Sequence, residues 1–419
     1  MTNFLVVGGG VGGLVTARRL ALAGRTVEVF EASDHLGGTV GRVTVGGLDL
    51  DSGAESFALR GGTVAALADE LGLGGDIVSP NPEGAWLLPS NGRAVPLPKL
   101  SLLGVPGSPL APDVRAILGL PGALRAWGEK FLPGTYGADA VSLGDIVQRR
   151  MGTSVLENLV APIVRGVHSM DPHDLPLDRV APGLRDALTR TGSLAEAVLE
   201  LRSNTRAGSS VAGITGGIHR LVIELVNDLH RLGVVMHLGS HVESVEAGSI
   251  EVNGAVRTGH VIVAAPGLLG TPVTDGHLAV LTTLVLDAPE LDRAPRGTGV
   301  LVAAGAVGVQ ARALTHATAK WSWLAERADG AHVVRLSYGS ALDDHATVAR
   351  TDAARILGVS LPSSAVLDFA RVEWRRPPRQ IHAADGISVV GETASGTGLA
   401  AVVGHAEITA RDLLRDFVD

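Results

Sequence analysis

The sequence predicts an α/β fold in which the chain leaves a parallel-sheet domain and twice returns to it. A strand, a glycine-rich turn and a helix open the chain, a helix and a buried apolar strand recur near its middle, and a strand, turn and helix close it. Phe4 to Val7 is a short apolar run of the kind that forms a buried parallel strand. Gly8-Gly9-Gly10-Val11-Gly12-Gly13 is the turn, and Leu14 to Ala23 continues as a helix with Leu14, Ala17 and Ala21 on one face. Gly24 stops that helix, and Thr26 to Glu31 is the next strand.

Eight prolines between Pro80 and Pro112 favour loops and short strands. Helical patterns run from Ser142 to about Leu201. From Gly216 onward the pattern reads helix (218–232), strands (234–238 and 242–247), a hairpin through Asn253-Gly254 and a buried strand (261–265). Alternation between Thr282 and Tyr338 fits an antiparallel sheet, and the chain closes with a strand (387–390) and a helix from about Leu399 to Phe417.

Composition excludes several classes. At 419 residues and 46% hydrophobic, the chain buries a large core and divides into about two or three domains. Only 19% of residues are charged, which excludes a disordered chain, and the net charge of −8 argues against nucleic-acid binding. Without cysteine there is no disulfide, no thiolate nucleophile and no zinc–sulfur site. The fourteen histidines show no metal-ligand spacing, and no Ser–His–Asp set is recognisable. The uncharged run from Met1 to Ala17 has no basic leader and is broken by five glycines, so neither a signal peptide nor a spanning helix is expected. The expectation is a cytoplasmic protein, peripheral to a membrane at most.

Gly8, Gly10 and Gly13 match G-x-G-x-x-G. With 55 glycines, roughly one chance match is expected, so context decides. Here the motif follows a strand, opens a helix and precedes acidic Glu31 at the end of the second strand. Gly8 permits the tight turn, Gly10 admits a pyrophosphate close to the backbone, and Gly13 lets the helix lie against the sheet. The helix N-terminus holds the phosphates, and Glu31 accepts hydrogen bonds from the ribose. Glycine-rich helix packing alone is the competing explanation. Gly37-Gly38 after Glu31, and Gly391-Glu392 with Gly396-Thr397-Gly398 before the last helix, favour FAD over NAD. The second helix end would sit near the flavin ring and favour its anionic reduced form.

These residues carry a family resemblance. Gly8–Gly13, Glu31-Ala32-Ser33, Leu36-Gly37-Gly38 and especially Asp51-Ser52-Gly53-Ala54-Glu55-Ser56-Phe57 resemble the FAD-dependent protoporphyrinogen/coproporphyrinogen oxidases, within the wider flavin amine-oxidase group. The likeness continues through Gly92–Pro98, Leu143–Val147, Pro162–Leu177, Thr215-Gly216-Gly217, Lys320-Trp321 and Gly391–Leu399. It implies a glutathione-reductase-type, Rossmann-like FAD-binding domain interleaved with an α+β substrate domain containing a mixed sheet and a helical subregion, which binds membranes in some members. The expected boundaries are 1–60, 208–267 and 379–419 for the first, and 61–207 and 268–378 for the second, with helices over about 100–205. Carried over by motif, FAD contacts fall on Gly8, Gly9, Gly10, Val11, Gly12, Gly13, Glu31, Ala32, Thr39, Gly53, Ala54, Glu55, Ser56, Val242, Glu392, Thr397, Gly398 and Leu399.

The implied chemistry is six-electron oxidation of a porphyrinogen. Three two-electron steps deliver hydride to flavin N5, and oxygen reoxidises the flavin to give peroxide. No protein side chain is required as a nucleophile. Non-covalent FAD is expected, since no cysteine is present to form a thioether. This sequence departs from the family in Thr39-Val40-Gly41-Arg42, in Leu399-Ala400-Ala401, and in the short 381–386 segment, where the family has a longer helical stretch.

A porphyrinogen carries propionates, so an acidic protein needs local cations to bind it. Arg60, just after the Gly53–Ser56 loop, Lys320 beside Trp321, and the Arg375-Arg376/Arg379 cluster are the candidates. A surface ion pair is the competing role for Arg60, and a snorkelling surface lysine for Lys320. His168 is a candidate proton acceptor, against a satisfied core histidine. Trp127 is expected in the core rather than at a membrane. Three functions compete: a porphyrinogen oxidase, with the copro form preferred; another flavin oxidase acting on an amine or polyene; and a non-catalytic flavin- or tetrapyrrole-binding homologue.

Overall fold

Phe4 and Val6 of the first strand point to one face of a sheet and Leu5 and Val7 to the other, and all four are buried. Burial of each such side chain is worth about 1.5–3 kcal/mol relative to exposure, which fixes this strand at the centre of its sheet. The computed structural model describes residues 3–90, 92–168, 170–203, 211–270, 277–376 and 385–417. The chain divides into two units: Met1–Pro80 with Ser209–Ala279 and Val372–Asp419, and Asn81–Gly208 with Val280–Arg371. The expected limits at 60, 267 and 378 stand against observed limits at 80, 279 and 371.

The first unit is built on β1 (Asn3–Val7), α1 (Val11–Leu22), β2 (Thr26–Phe30), α2 (His219–Arg231), β3 (Val235–His237), β4 (His260–Val263), β5 (Ile387–Val389) and α3 (Leu399–Asp416). The five strands form one parallel sheet in the order β3-β2-β1-β4-β5. Leu14, Ala17 and Leu20 of α1, Leu221 and Leu225 of α2, and Val403 and Ala406 of α3 pack with Phe4, Val6, Val29 and Ile262 in one core. The opposite face, with Leu5, Val7, Phe30 and Val263, is covered by an antiparallel meander of Val242–Glu246, Ser249–Val252 and Ala255–Thr258. Asn253 (φ 53) and Gly254 (φ 69) make its expected tight hairpin. Helix Thr63–Glu70 also belongs to this unit, and the Thr63 hydroxyl donates to the Ala400 carbonyl at 3.0 Å.

The second unit holds a mixed seven-stranded sheet in the order 366–376, 277–286, 332–338, 313–316, 299–302, 85–88, 95–96, whose first two strands run past the unit's limits at 371 and 280, so that Trp374 belongs to the first unit. Its pairs of known register are antiparallel except Gly299–Val302 beside Ala85–Leu88. Its helices include Leu143–Met151, Ala161–His168, Leu184–Thr191 and Leu194–Ser203. The sequence places loops through Pro112, but Pro112 begins the helix Pro112–Trp127, as proline can at a first helical position. Gly119 (φ 67), two residues before Pro121, kinks that helix. Trp127 is half-buried rather than in the core, with the Lys130 ammonium 4.0 Å above its ring.

Candidate functional site

The glycine turn gives the site its floor. Gly8 takes φ +111, and a Cβ there would come 2.8 Å from the Ala265 nitrogen. A Cβ on Gly13 would come 2.2 Å from the Gly8 carbonyl oxygen, so only glycine lets α1 lie this close to the turn. At Gly10 the Cβ direction is open, with nothing within 4 Å. Gly10 is also the N-cap of α1, no side chain caps it, and no acidic residue occupies the first turn. The unopposed positive end of α1 faces an open cradle, which fits a pyrophosphate.

Glu31 borders that cradle. Its carboxylate accepts the Gly9 N–H at 2.7 Å and the Ser33 N–H and hydroxyl at 2.9 and 2.8 Å. A carboxylate has about four acceptor positions, so capacity remains for a ribose hydroxyl. The Glu31 N–H in turn donates to the His237 carbonyl at 2.9 Å, and His237 stacks on Phe30 with centroids 4.6 Å apart. Burial pushes the neighbouring Glu28 carboxyl upward, but hydrogen bonds from Asn3 and His237 outweigh it and hold it below the ordinary range.

The remaining motifs converge on this turn. The Gly37 N–H donates to the Gly9 carbonyl at 2.8 Å, and Gly38 lies beside Gly10. A Cβ on Gly12 would fall 2.8 Å from the backbone of Gly391, so the C-terminal loop rests against the first turn of α1. Gly398, the N-cap of α3, has φ 113 and no side-chain cap. Two uncapped helix N-termini thus belong to one unit.

The Asp51–Phe57 segment is fastened independently. The Asp51 carboxylate accepts the Ile218 and His219 N–H groups at 3.0 and 2.9 Å, and lies 2.8 Å from His219 Nδ1. It caps α2 from 167 residues away along the chain. A Cβ on Gly53 would meet the Thr39 carbonyl oxygen at 2.0 Å. Thr39 and the Gly53–Ser56 loop are therefore neighbours, as are Gly8–Gly13, Glu31 and Gly391.

Other residues singled out in the sequence stand differently. Ala32 is exposed beyond Glu31, while Thr39, Ala54, Glu55, Ser56, Glu392 and Thr397 are half-buried, and Leu399 is buried. The Val242 side chain is committed to the core with Leu5, Val7 and Phe30, and its backbone pairs opposite Val252 in the meander. Arg60 is exposed before the left-handed pair Gly61-Gly62 and makes no ion pair among the described residues. Lys320 lies in the second unit, half-buried, with its ammonium 5.0 Å from the Trp321 ring centre. The side chains of His168 and Arg376 lie outside the described residues, as does Arg379. Sequence reasoning passed over Asp51 and His219 as a pair, and Trp374 altogether, whose indole N–H donates to the Ser52 carbonyl at 3.1 Å. Only the position of Asp51 at the head of its motif hinted at the first.

Among the described residues no cluster of three or more His, Asp or Glu could hold a metal, and no helix is long and apolar enough to cross a membrane.

Residues 11–268 match the family of flavin-containing amine oxidoreductases. The chain is 31% identical over 371 residues to coproporphyrinogen III oxidase of Mycobacterium tuberculosis, an alignment covering 84% of this chain and 79% of that protein. Its fold is like that of a provisionally named protoporphyrinogen oxidase from Exiguobacterium, at 21% identity, 99% coverage of both chains and a TM-score of 0.81. Putrescine oxidase bound to putrescine shares the fold at 16% identity, 99% coverage of both chains and a TM-score of 0.66.

Proposed function

The chain belongs to the family of flavin-containing amine oxidoreductases, and within it we propose that the protein oxidises a porphyrinogen to the porphyrin of heme synthesis, coproporphyrinogen III before protoporphyrinogen IX. The observation that carries this reading is the 31% identity to a coproporphyrinogen III oxidase across most of both chains. The likeness to putrescine oxidase speaks for the fold only.

The cofactor in this reading is FAD, held without a covalent bond in the first unit. The first-turn N–H groups of α1 would hold its pyrophosphate and Glu31 its ribose. Thr39, the Gly53–Ser56 loop and the Gly391–Leu399 segment would bound its ring end. When bound, the flavin supplies two-electron acceptance, so three rounds take six electrons from the macrocycle and oxygen carries them off as peroxide. The protein's own part is to hold the cofactor, exclude water and neutralise propionates, with Arg60, Lys320 and His168 as candidates on the substrate side.

Purified protein treated with acid should release about one equivalent of FAD into the supernatant. Supplied with coproporphyrinogen III in air, it should form fluorescent porphyrin and peroxide together, and putrescine should give neither. Peroxide from putrescine alone would select an amine oxidase. Tight porphyrin binding without turnover would select a non-catalytic carrier.

A cytoplasmic protein with peripheral membrane contact is the accompanying proposal. Leu120 and Leu124 on the kinked helix are 57% and 47% exposed, Phe131 just beyond it is 71% exposed, and Lys130 stands over Trp127. An apolar patch with a cation at its border suits an anionic bilayer surface. Co-sedimentation with anionic vesicles that is lost in Phe131→Glu would support it, and no sedimentation of the wild type would refute it.

A further inference from the structure

We propose that Trp374 is a positioning residue that aims the Gly53 N–H at the flavin. This rests on the reading that the Gly53–Ser56 loop faces that cofactor. Ser52 is buried and its peptide groups are tied on both sides. Its N–H donates to the Gly41 carbonyl at 2.9 Å, and its carbonyl accepts the Trp374 indole N–H at 3.1 Å. One residue earlier, Asp51 is locked onto the N-terminus of α2 by its three contacts there.

A trans peptide is planar, and its C=O and N–H point in opposite directions. The indole therefore does more than hold the Ser52 oxygen. By fixing that carbonyl it also fixes the direction of the Gly53 N–H. The donor cannot drift, because Gly53 is pressed against Thr39, where even a Cβ would stand 2.0 Å from the carbonyl oxygen. Among the described residues the Gly53 N–H has no acceptor. A half-buried backbone donor held in place without a partner calls for an acceptor from outside the chain. The flavin offers such acceptors in N1 and its ring carbonyls, where negative charge accumulates on reduction. A preorganised donor there favours the reduced form.

Trp374→Phe keeps the ring and removes only the N–H. The expected result is a melting temperature lowered by no more than about 5 °C, unchanged flavin stoichiometry, a lower flavin midpoint potential, and flavin reduction by substrate slowed about three- to tenfold, in line with one ordinary hydrogen bond. KM should stay within twofold. Trp374→His, which retains a ring donor, should recover part of the potential. A Trp374→Phe protein with the wild-type potential and absorption spectrum would overturn the proposal. So would a variant that loses flavin and thermal stability together while the flavin it retains keeps the wild-type potential, since that marks a purely structural role. A wild type that binds no flavin would instead sink the functional reading beneath, and this proposal with it.

Discussion

Replacing Arg150 by Met isolates one interaction at the heart of the second unit. The Arg150 side chain is 0% exposed and Glu129 1%. All five guanidinium donors are used: Nε on Glu129 Oε2 at 2.8 Å, Nη1 on the Pro133 and Tyr136 carbonyls, and Nη2 on the Glu129 and Gly192 carbonyls. The Glu129 carboxylate also accepts the Ser193 hydroxyl at 2.5 Å and the Leu194 and Ala195 N–H groups at 3.0 and 3.1 Å. It thereby joins the helix Leu194–Ser203 to Leu143–Met151 through Arg150. Removing one partner of a buried pair strands the other charge, and this costs about 3–5 kcal/mol. For a cooperative unit of roughly two hundred residues, about 2–4 °C per kcal/mol gives a fall of about 6–20 °C in the melting of this unit. Trp127 lies two residues before Glu129, so tryptophan emission during thermal unfolding is the assay. Glu129→Gln should fall in the same range, and the double variant Glu129→Gln/Arg150→Met should lose less than the two singles added. Single variants within about 1 kcal/mol of the wild type would refute the argument that stranded charge dominates here.

Three further outcomes are expected. His316 is 1% exposed, and burial, with His332 3.2 Å away adding to it, pushes its imidazole down to about 4. The unfolded chain then takes up the proton first as pH falls, so this contribution is full above about pH 6.5 and is lost between there and about 4. His316→Phe should flatten that part of the stability–pH curve, and an unchanged slope would contradict the assignment. Gly12→Ala would set a methyl group 2.8 Å from Gly391, so bound FAD should drop severalfold by acid release, and full occupancy would show that the two turns yield. Arg60→Ala should raise KM for coproporphyrinogen about tenfold, more than for protoporphyrinogen, with FAD content unchanged. Wild-type kinetics would remove Arg60 from the substrate site.

The sequence was most readable where local chemistry decides structure. Gly8, Gly13 and Gly24 each occupy a backbone position closed to larger residues or one that ends a helix, and their spacing together with the flanking apolar runs placed the first strand, turn and helix. Asn253-Gly254 likewise set its hairpin. The helix from Pro112 escaped notice because proline punctuates loops and first helical turns alike, and Gly119 interrupts its periodicity. In the site, Glu31 announced itself by following a strand, and its hydrogen bonds to Gly9 and Ser33 agree with that place. The tethers of the Ser52–Gly53 peptide were illegible. Asp51 meets His219 across 168 residues and Trp374 meets Ser52 across 322, and no local pattern encodes a contact of that separation. Glu129 and Arg150 look in sequence like two ordinary surface charges, and only their burial distinguishes them.

The most direct test of a flavin-dependent porphyrinogen oxidase is an anaerobic one. Oxygen-free coproporphyrinogen III is added to the purified yellow protein while flavin absorbance is followed. Bleaching of the bound flavin with stoichiometric appearance of oxidised substrate, and return of the colour on admitting air, is the predicted result. A flavin that stays oxidised with coproporphyrinogen and protoporphyrinogen alike, yet bleaches with an amine, would contradict it.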